Sequence, residues 1–382
     1  MARWLLPENI ADTLPLEARR VEELRRALLD LYDCHGYELV RPPLIEYVDS
    51  LLTGTGGDLD LLTFKFTDQA SGRLLGLRAD MTPQAARIDA HILNRPGVVR
   101  LCYAGPVLHA RPQHPLASRE PQVAGAELFG YAGPQADLEL VRLAVQSLRA
   151  GGAGRVQIDL GHMGVARALL GAEPAAGERA GAVLAALSAK DASALADALH
   201  GFGVETSAGL RRLLGMYGGR EVLSAAAREL PALPGVREAL DHLVWLAAHC
   251  GADEVAVDLA DLHGYQYLTG VTFSAYVPGA TSAVVRGGRY DDVGRAFGRA
   301  RPAVGFTVYL RELAGRTPLA LPRAILAPPG EDPELARLVA QLRAAGEIVV
   351  QRLPGESAEG HTESFEFDRR IERGDQGWRI VG

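Results

Sequence analysis

Arg78-Ala79-Asp80-Met81-Thr82 follows an apolar run and sets a carboxylate and a hydroxyl two residues apart. If the strand continues, both side chains point the same way. Such a pair suits an α-ammonium group, with Asp80 supplying charge and Thr82 a second acceptor. The competing reading is a helix start, because Thr82-Pro83 can open a helix through Ala85 and Ala86. His263-Gly264-Tyr265-Gln266-Tyr267-Leu268-Thr269-Gly270 joins two glycines to two tyrosines, so a loop there can carry aromatic hydroxyls to a ligand. Gly287-Gly288-Arg289-Tyr290 offers backbone room beside a cation, or else a tight turn with a solvated arginine.

Two other segments carry chemistry only weakly. His109 and His114 are five residues apart in a proline-rich stretch with no third ligand in register, which points to a surface loop and not to a metal. Thr53-Gly54-Thr55-Gly56-Gly57 lacks the Gly-Lys-Ser/Thr ending of a phosphate loop and reads as a flexible loop or lid.

Positioning these residues calls for a mixed order of elements. Val21, Leu24, Leu28, Leu31 and Tyr32 recur at helical spacing, and the helix ends near Gly36. Tyr37 to Val40 forms a short strand that Pro42 and Pro43 terminate, which favours an edge or an interface. Phe64–Thr67 and Leu74–Leu77 pair as a hairpin, with further strands over 98–103, 125–129 and 156–160. Asp137 can cap a helix running through Leu140 to Leu148. From about 165 to 250 the Ala, Leu, Arg and Glu content and spacing predict a helical insertion. Strands return at 255–259, 271–276, 282–285 and 305–309, an order that argues for an α+β domain on an antiparallel sheet. After about 318 a small α/β unit is expected over 319–382: strand 324–326, a helix capped by Asp332-Pro333, strand 348–350, a polar stretch 356–376, and Trp378 to Val381.

Composition bounds the function. The 382 residues are 48% hydrophobic, enough for a large core, and no run approaches the ~18 apolar residues of a membrane helix. With no signal-peptide pattern at Met1 to Pro7, a cytoplasmic location is expected. Cys34, Cys102 and Cys250 are widely spaced, which suggests buried thiols and no metal cluster. The net charge is −7 and Lys65 and Lys190 are the only lysines, so no compact basic run is available for RNA.

Gly287-Gly288-Arg289-Tyr290-Asp291 and Pro302-Ala303-Val304-Gly305-Phe306, taken with the segments above, resemble histidyl-tRNA synthetases of class II over about residues 8 to 315. Val40-Arg41-Pro42-Pro43 resembles that family's first motif, which implies that Pro43 lies at a dimer interface. The resemblance makes Asp80, Thr82, Glu127, Tyr267 and Tyr290 the histidine-binding set. Gly105-Pro106-Val107-Leu108-His109-Ala110-Arg111-Pro112 resembles the second motif, one residue short. His109, His263 and Glu312 stand where the family carries the three arginines that hold ATP and the activated carboxylate, and Tyr309 stands at a glycine. Val123 replaces a glutamine and Leu268 a tyrosine of the family, which weakens the grip on histidine.

A charge-assisted hydrogen bond is worth roughly 1.5–3 kcal/mol, and a preorganised transition-state donor about 10²–10³ in rate. With three such positions lost, aminoacylation is expected to be absent. The pattern is similar to the paralogous family of regulatory subunits of ATP phosphoribosyltransferase, and the short C-terminal unit agrees. That resemblance implies a non-catalytic partner of the short-form catalytic subunit, working at the first step of histidine biosynthesis in a hetero-octamer built on a class II-like dimer. It also implies a part in feedback by L-histidine, with no tRNA, metal or cofactor. Three alternatives remain at this level: a stand-alone histidine-binding synthetase paralogue, an active histidyl-tRNA synthetase, and a paralogue specific for a different amino acid.

Overall fold

The computed structural model describes residues 4–54, 57–264, 267–316, 321–356, 364–375 and 377–382. Thr55, Gly56, Tyr265 and Gln266, parts of two loops singled out above, lie outside the described residues. The chain divides into two compact units, one of Met1–Thr13 with Glu17–Thr317, the other of Leu14–Leu16 with Pro318–Gly382.

Sixteen strands are described in chain order: β1 (Glu38–Leu39), β2 (Ile45–Tyr47), β3 (Lys65–Thr67), β4 (Leu74–Leu77), β5 (Val99–Pro106), β6 (Gln122–Phe129), β7 (Gln157–His162), β8 (Tyr217–Gly218), β9 (Glu254–Asp258), β10 (Val271–Tyr276), β11 (Val285–Arg289), β12 (Ala303–Tyr309), β13 (Arg323–Ala327), β14 (Val349–Gln351), β15 (Glu366–Gly374) and β16 (Gly377–Val381). In the larger unit nine of them form one sheet in the order β1-β5-β6-β12-β11-β10-β7-β9-β8. Its central pairs, from β5 to β7, are all antiparallel. β1 joins β5 in parallel, and so does β9 with β7.

The 17-residue helix Pro134–Ala150 turns Leu140, Val141, Ala144, Val145 and Leu148 inward at helical spacing, and all five are buried. Helices fill most of Met163 to His249, with Leu169, Val183, Leu187, Leu195, Leu210 and Leu243 in one continuous core with the sheet. Helices packed on an antiparallel sheet make this an α+β fold. β2, β4 and β3 form a separate antiparallel sheet, so the chain leaves the extended state at Pro42 and Pro43 only briefly before pairing again at Ile45.

The smaller unit has the order β14-β13-β15-β16, parallel across β14-β13-β15 and antiparallel at β15-β16. Ile325, Ala327, Leu335, Val339, Val349 and Ile371 form its core. Asp332 caps the helix Pro333–Ala344 by accepting from Glu334 N at 2.8 Å, and its other oxygen accepts from Trp378 Nε1 at 3.0 Å. The polar stretch 356–376 is not strandless: it contains the nine-residue β15.

Packing decides three local readings. Gly287-Gly288-Arg289 is not a turn but the end of β11, because the backbones are too close for side chains there. A Cβ on Gly287 would lie 2.4 Å from Phe273 Cζ and 2.5 Å from Gly305 O. Asp137 does not cap its helix, which begins earlier at Pro134 with Gly133 as the cap. The Asp137 side chain is instead buried against Arg289. The strand before Asp80 ends at Leu77 and a helix opens at Thr82-Pro83, so of the two readings of this segment the helix start holds and Asp80 and Thr82 are not strand neighbours.

Candidate functional site

One face of the large sheet opens into a cavity of about 350 Å³, within the usual ~300–1,000 Å³ of small-molecule sites. Every residue assigned to the histidine-binding set lines it: Asp80, Thr82, Glu127, Tyr267 and Tyr290. So do His109 and His263, whereas Glu312 sits exposed on the helix Leu310–Ala314 and does not. Pro43 is exposed and lies elsewhere, its carbonyl accepting from Gln84 Nε2 at 2.8 Å.

Glu127 is the floor of the site. It is 1% exposed, on β6 directly opposite Gly305 of β12. Thr82 Oγ1 donates to its Oε1 at 2.9 Å, Tyr103 OH donates to the same oxygen at 2.8 Å, and Tyr290 OH donates to Oε2 at 2.5 Å. Burial raises the Glu127 pKa to about 8, although the three hydroxyls pull it down. Asp80 organises the entrance: its Oδ1 accepts from Thr82 N at 3.0 Å, which holds the first residue of the helix Thr82–Arg87 so that its hydroxyl meets Glu127. Alternation along a strand does not bring these two together; a carboxylate at a helix N-terminus does.

His109 is 3% exposed, so the surface-loop expectation fails for it. Its Nε2 lies 3.1 Å from Ala79 O, and since a carbonyl only accepts, the proton is on Nε2. Nδ1 has no partner among the described residues, and burial lowers the pKa. His109 therefore offers the cavity a lone pair and no fixed positive charge. His263 Nδ1 lies 3.2 Å from Asp261 Oδ1. Burial would raise Asp261, but the hydrogen bond from His263 and the charges of His263 and Arg286 outweigh it and leave Asp261 lowered.

Tyr103 and Thr307 were not singled out from sequence as site residues. Their hydroxyls are 3.2 Å apart, and Tyr103 is also 3.2 Å from Thr82 Oγ1. Arg286, equally unremarked, lines the same cavity. The signal for Tyr103 and Thr307 was available only as polar residues inside apolar strands. Among the described residues no group of three His, Cys, Asp or Glu could hold a metal ion, and no helix is long and apolar enough to cross a membrane.

The raised Glu127 has a consequence for stability. Its native pKa of about 8 exceeds the ordinary 4.5, so between those values the folded chain holds a proton that the unfolded chain releases. Stability therefore falls as pH rises through that window, by an amount of order 1 kcal/mol per pH unit, and flattens above it. Glu127→Gln removes the slope. Thermal melts from pH 5 to 9 should show the variant gaining on the native chain as pH rises; parallel curves would place the titration elsewhere.

The family model for histidyl-tRNA synthetase matches residues 9–313, and that for the ATP phosphoribosyltransferase subunit HisZ C-terminal domain matches residues 322–381. An ATP phosphoribosyltransferase regulatory subunit of Cupriavidus pinatubonensis is 53% identical over 379 residues, covering 99% of this chain and 98% of its own length. One of Ralstonia nicotianae is 54% identical over 372 residues, covering 97% and 96%. A crystal structure described as an ATP phosphoribosyltransferase regulatory subunit/histidyl-tRNA synthetase of Bacillus halodurans superposes with a TM-score of 0.83 at 25% identity, covering 96% of this chain and 97% of that one. A histidyl-tRNA synthetase of Nostoc, at 16% identity and a TM-score of 0.78 over 100% and 97% of the chains, shares the fold. Near-full-length identity above half, together with a synthetase-like body and the matching C-terminal model, means that the chain belongs to the family of ATP phosphoribosyltransferase regulatory subunits.

Proposed function

We propose that this chain is the non-catalytic regulatory subunit of an ATP phosphoribosyltransferase, required with a short-form catalytic subunit for the first step of histidine biosynthesis, and that its cavity binds L-histidine as a feedback signal. The observation that carries the reading is the asymmetry of the cavity. The acids and hydroxyls that suit an amino group and an imidazole converge on Glu127, Asp80 and Thr82. The positions that would clamp a nucleotide hold a neutral His109, His263, and a Glu312 that does not line the cavity. A pocket of that kind recognises without reacting, and Arg286, the one Arg or Lys among its described lining residues, is too little counter-charge for a triphosphate.

The working unit is a dimer through the region of Pro43, placed within a hetero-octamer. An apolar face supports this. Ile45 and Tyr47 of β2 and Phe66 of β3 are 45%, 36% and 39% exposed, and they are in register with Leu77 and Leu75 of β4 on one side of the small sheet. Exposed apolar strands in a row need a cover. The helical insertion, about 165–250, and the C-terminal unit, 319–382, are the two candidate surfaces for the catalytic subunit. The protein works in the cytoplasm and binds no tRNA.

The test mixes the purified chain with the short-form catalytic subunit of the same source and follows ATP and phosphoribosyl pyrophosphate turnover with and without histidine. Turnover should rise on mixing and fall again with histidine. No change in turnover or elution size would sink the partner claim and leave a stand-alone histidine-binding paralogue. Pyrophosphate exchange with histidine and ATP would instead restore an active synthetase.

A further inference from the structure

Arg286 is the one Arg or Lys side chain among the described residues lining the cavity. It lies on β11, opposite Thr307 of β12 and Ser274 of β10, and it is partly buried. Among the described residues no hydrogen bond or ion pair engages its guanidinium, in contrast to Arg289 three residues on, which is held by Asp137, Asp291 and two carbonyls. Asp261 feels the Arg286 charge but makes no hydrogen bond or ion pair with it, so the guanidinium faces the cavity with donors open to a planar anion.

Its place relative to the acids is fixed by the sheet. Arg286 pairs with Thr307, which is two residues from Gly305, and Gly305 pairs with Glu127. With ~4.8 Å between strands and ~3.3 Å per residue, the two Cα atoms are roughly 12 Å apart. Both side chains reach into the intervening space. Asp80 and Arg286 act with opposite sign on Tyr267 and Tyr309, so both charges are felt by the same two rings. The cavity thus carries its acids at Asp80 and Glu127 and its cation at Arg286, two strands away from Glu127 across the sheet.

We infer that Arg286 is the carboxylate-binding residue of this pocket, which makes it a clamp for a free zwitterionic α-amino acid. The inference rests on the histidine reading above and adds the group that selects the free amino acid over its amine or alcohol. A single cation suffices for one carboxylate and is too little for a nucleotide's phosphates. The His109 and His263 nitrogens without partners can add hydrogen bonds but, in the case of His109, no fixed charge.

The experiment is calorimetric titration of the full chain with L-histidine and with L-histidinol, which keeps the ammonium and imidazole but carries an alcohol in place of the carboxylate. The native chain should prefer histidine by about tenfold, the scale of one partly exposed charge-assisted contact. Arg286→Gln should lose that preference while binding histidinol within about twofold of the native chain, and Arg286→Lys should keep part of it. Retained histidinol binding shows that the variant pocket is folded. If Arg286→Gln keeps the preference, or loses both ligands equally, the assignment is overturned while the histidine reading stands. If the native chain binds neither ligand, the histidine reading fails and takes this inference with it.

Discussion

Gly305→Ala should abolish the amino-acid binding proposed for this pocket and cost the fold several kcal/mol. A Cβ at Gly305 would lie 1.5 Å from Glu127 Oε2, 2.3 Å from its Cδ and 2.9 Å from Ala126 O. The first two contacts belong to a side chain that could swing aside, but Glu127 has nowhere to go without leaving Thr82, Tyr103 and Tyr290 behind. Overpacking alone costs about 1–3 kcal/mol, and each buried hydroxyl left unpaired adds about 1–3 kcal/mol. The binding loss should exceed the hundredfold that one lost charged contact gives, because both the acid and its orienting hydroxyls are displaced. Denaturant unfolding and histidine titration of the one variant check both parts. A variant that unfolds with the native midpoint and binds normally would mean that β12 can move away from β6 at this row, against the unbroken antiparallel register over Ala303–Tyr309.

The parts of this fold that the sequence made legible are those whose reason is local. Phe64–Thr67 and Leu74–Leu77 alternate around a polar turn, and they pair. Asp332-Pro333 is a cap followed by a first-turn proline, and Asp332 caps. The failures are equally physical. The glycines of β11 look like a turn because nothing in the neighbouring residues reports that Phe273 and Phe306 will press on them from other strands. β15 is missed because Phe367 and Ile371 are the only apolar side chains among nine residues. Its pairing with β13 and β16 supplies what the pattern lacks.

The site follows the same division. Asp80, Thr82, Glu127, Tyr267 and Tyr290 are spread over 211 positions, and no periodicity brings them to one cavity; their grouping came from family resemblance, and the geometry places all five on its walls. What resemblance could not supply is the residue a relative lacks a reason to keep. Arg286 has no role in a pattern built around lost arginines, and only its position on the cavity wall, with no hydrogen bond or ion pair among the described residues, makes it visible. His109 shows the reverse. Its type suggested a surface imidazole, and its burial makes it a neutral acceptor.

Arg289→Met should destabilise the larger unit by about 3–5 kcal/mol, the usual cost of stranding one partner of a buried ion pair. Arg289 Nε lies 2.9 Å from Asp137 Oδ1, and the two residues are 6% and 1% exposed. The pair ties the end of β11, one residue before Tyr290, to the first turn of the helix Pro134–Ala150, 152 positions earlier in sequence. Burial already raises the Asp137 pKa to about 6 against the pull of Arg289. Removing the guanidinium removes that pull, so the folded pKa rises further while the unfolded value stays at the ordinary 3.8. The folded variant then holds a proton over a wider range above 3.8, and its stability falls as pH rises through that range. The deficit should accordingly be larger at pH 8 than at pH 5. Adding Asp137→Asn removes the stranded charge and should recover a large part of the loss, since a buried pair replaced as a pair costs far less than a pair that is broken. Chemical denaturation of the native, single and double variants at the two pH values checks each step. A loss that is the same at both pH values and is not recovered by the second substitution would mean that Arg289 acts through its packing against Gly270 and its bonds to the Tyr131 and Gly133 carbonyls, and not through its charge on Asp137.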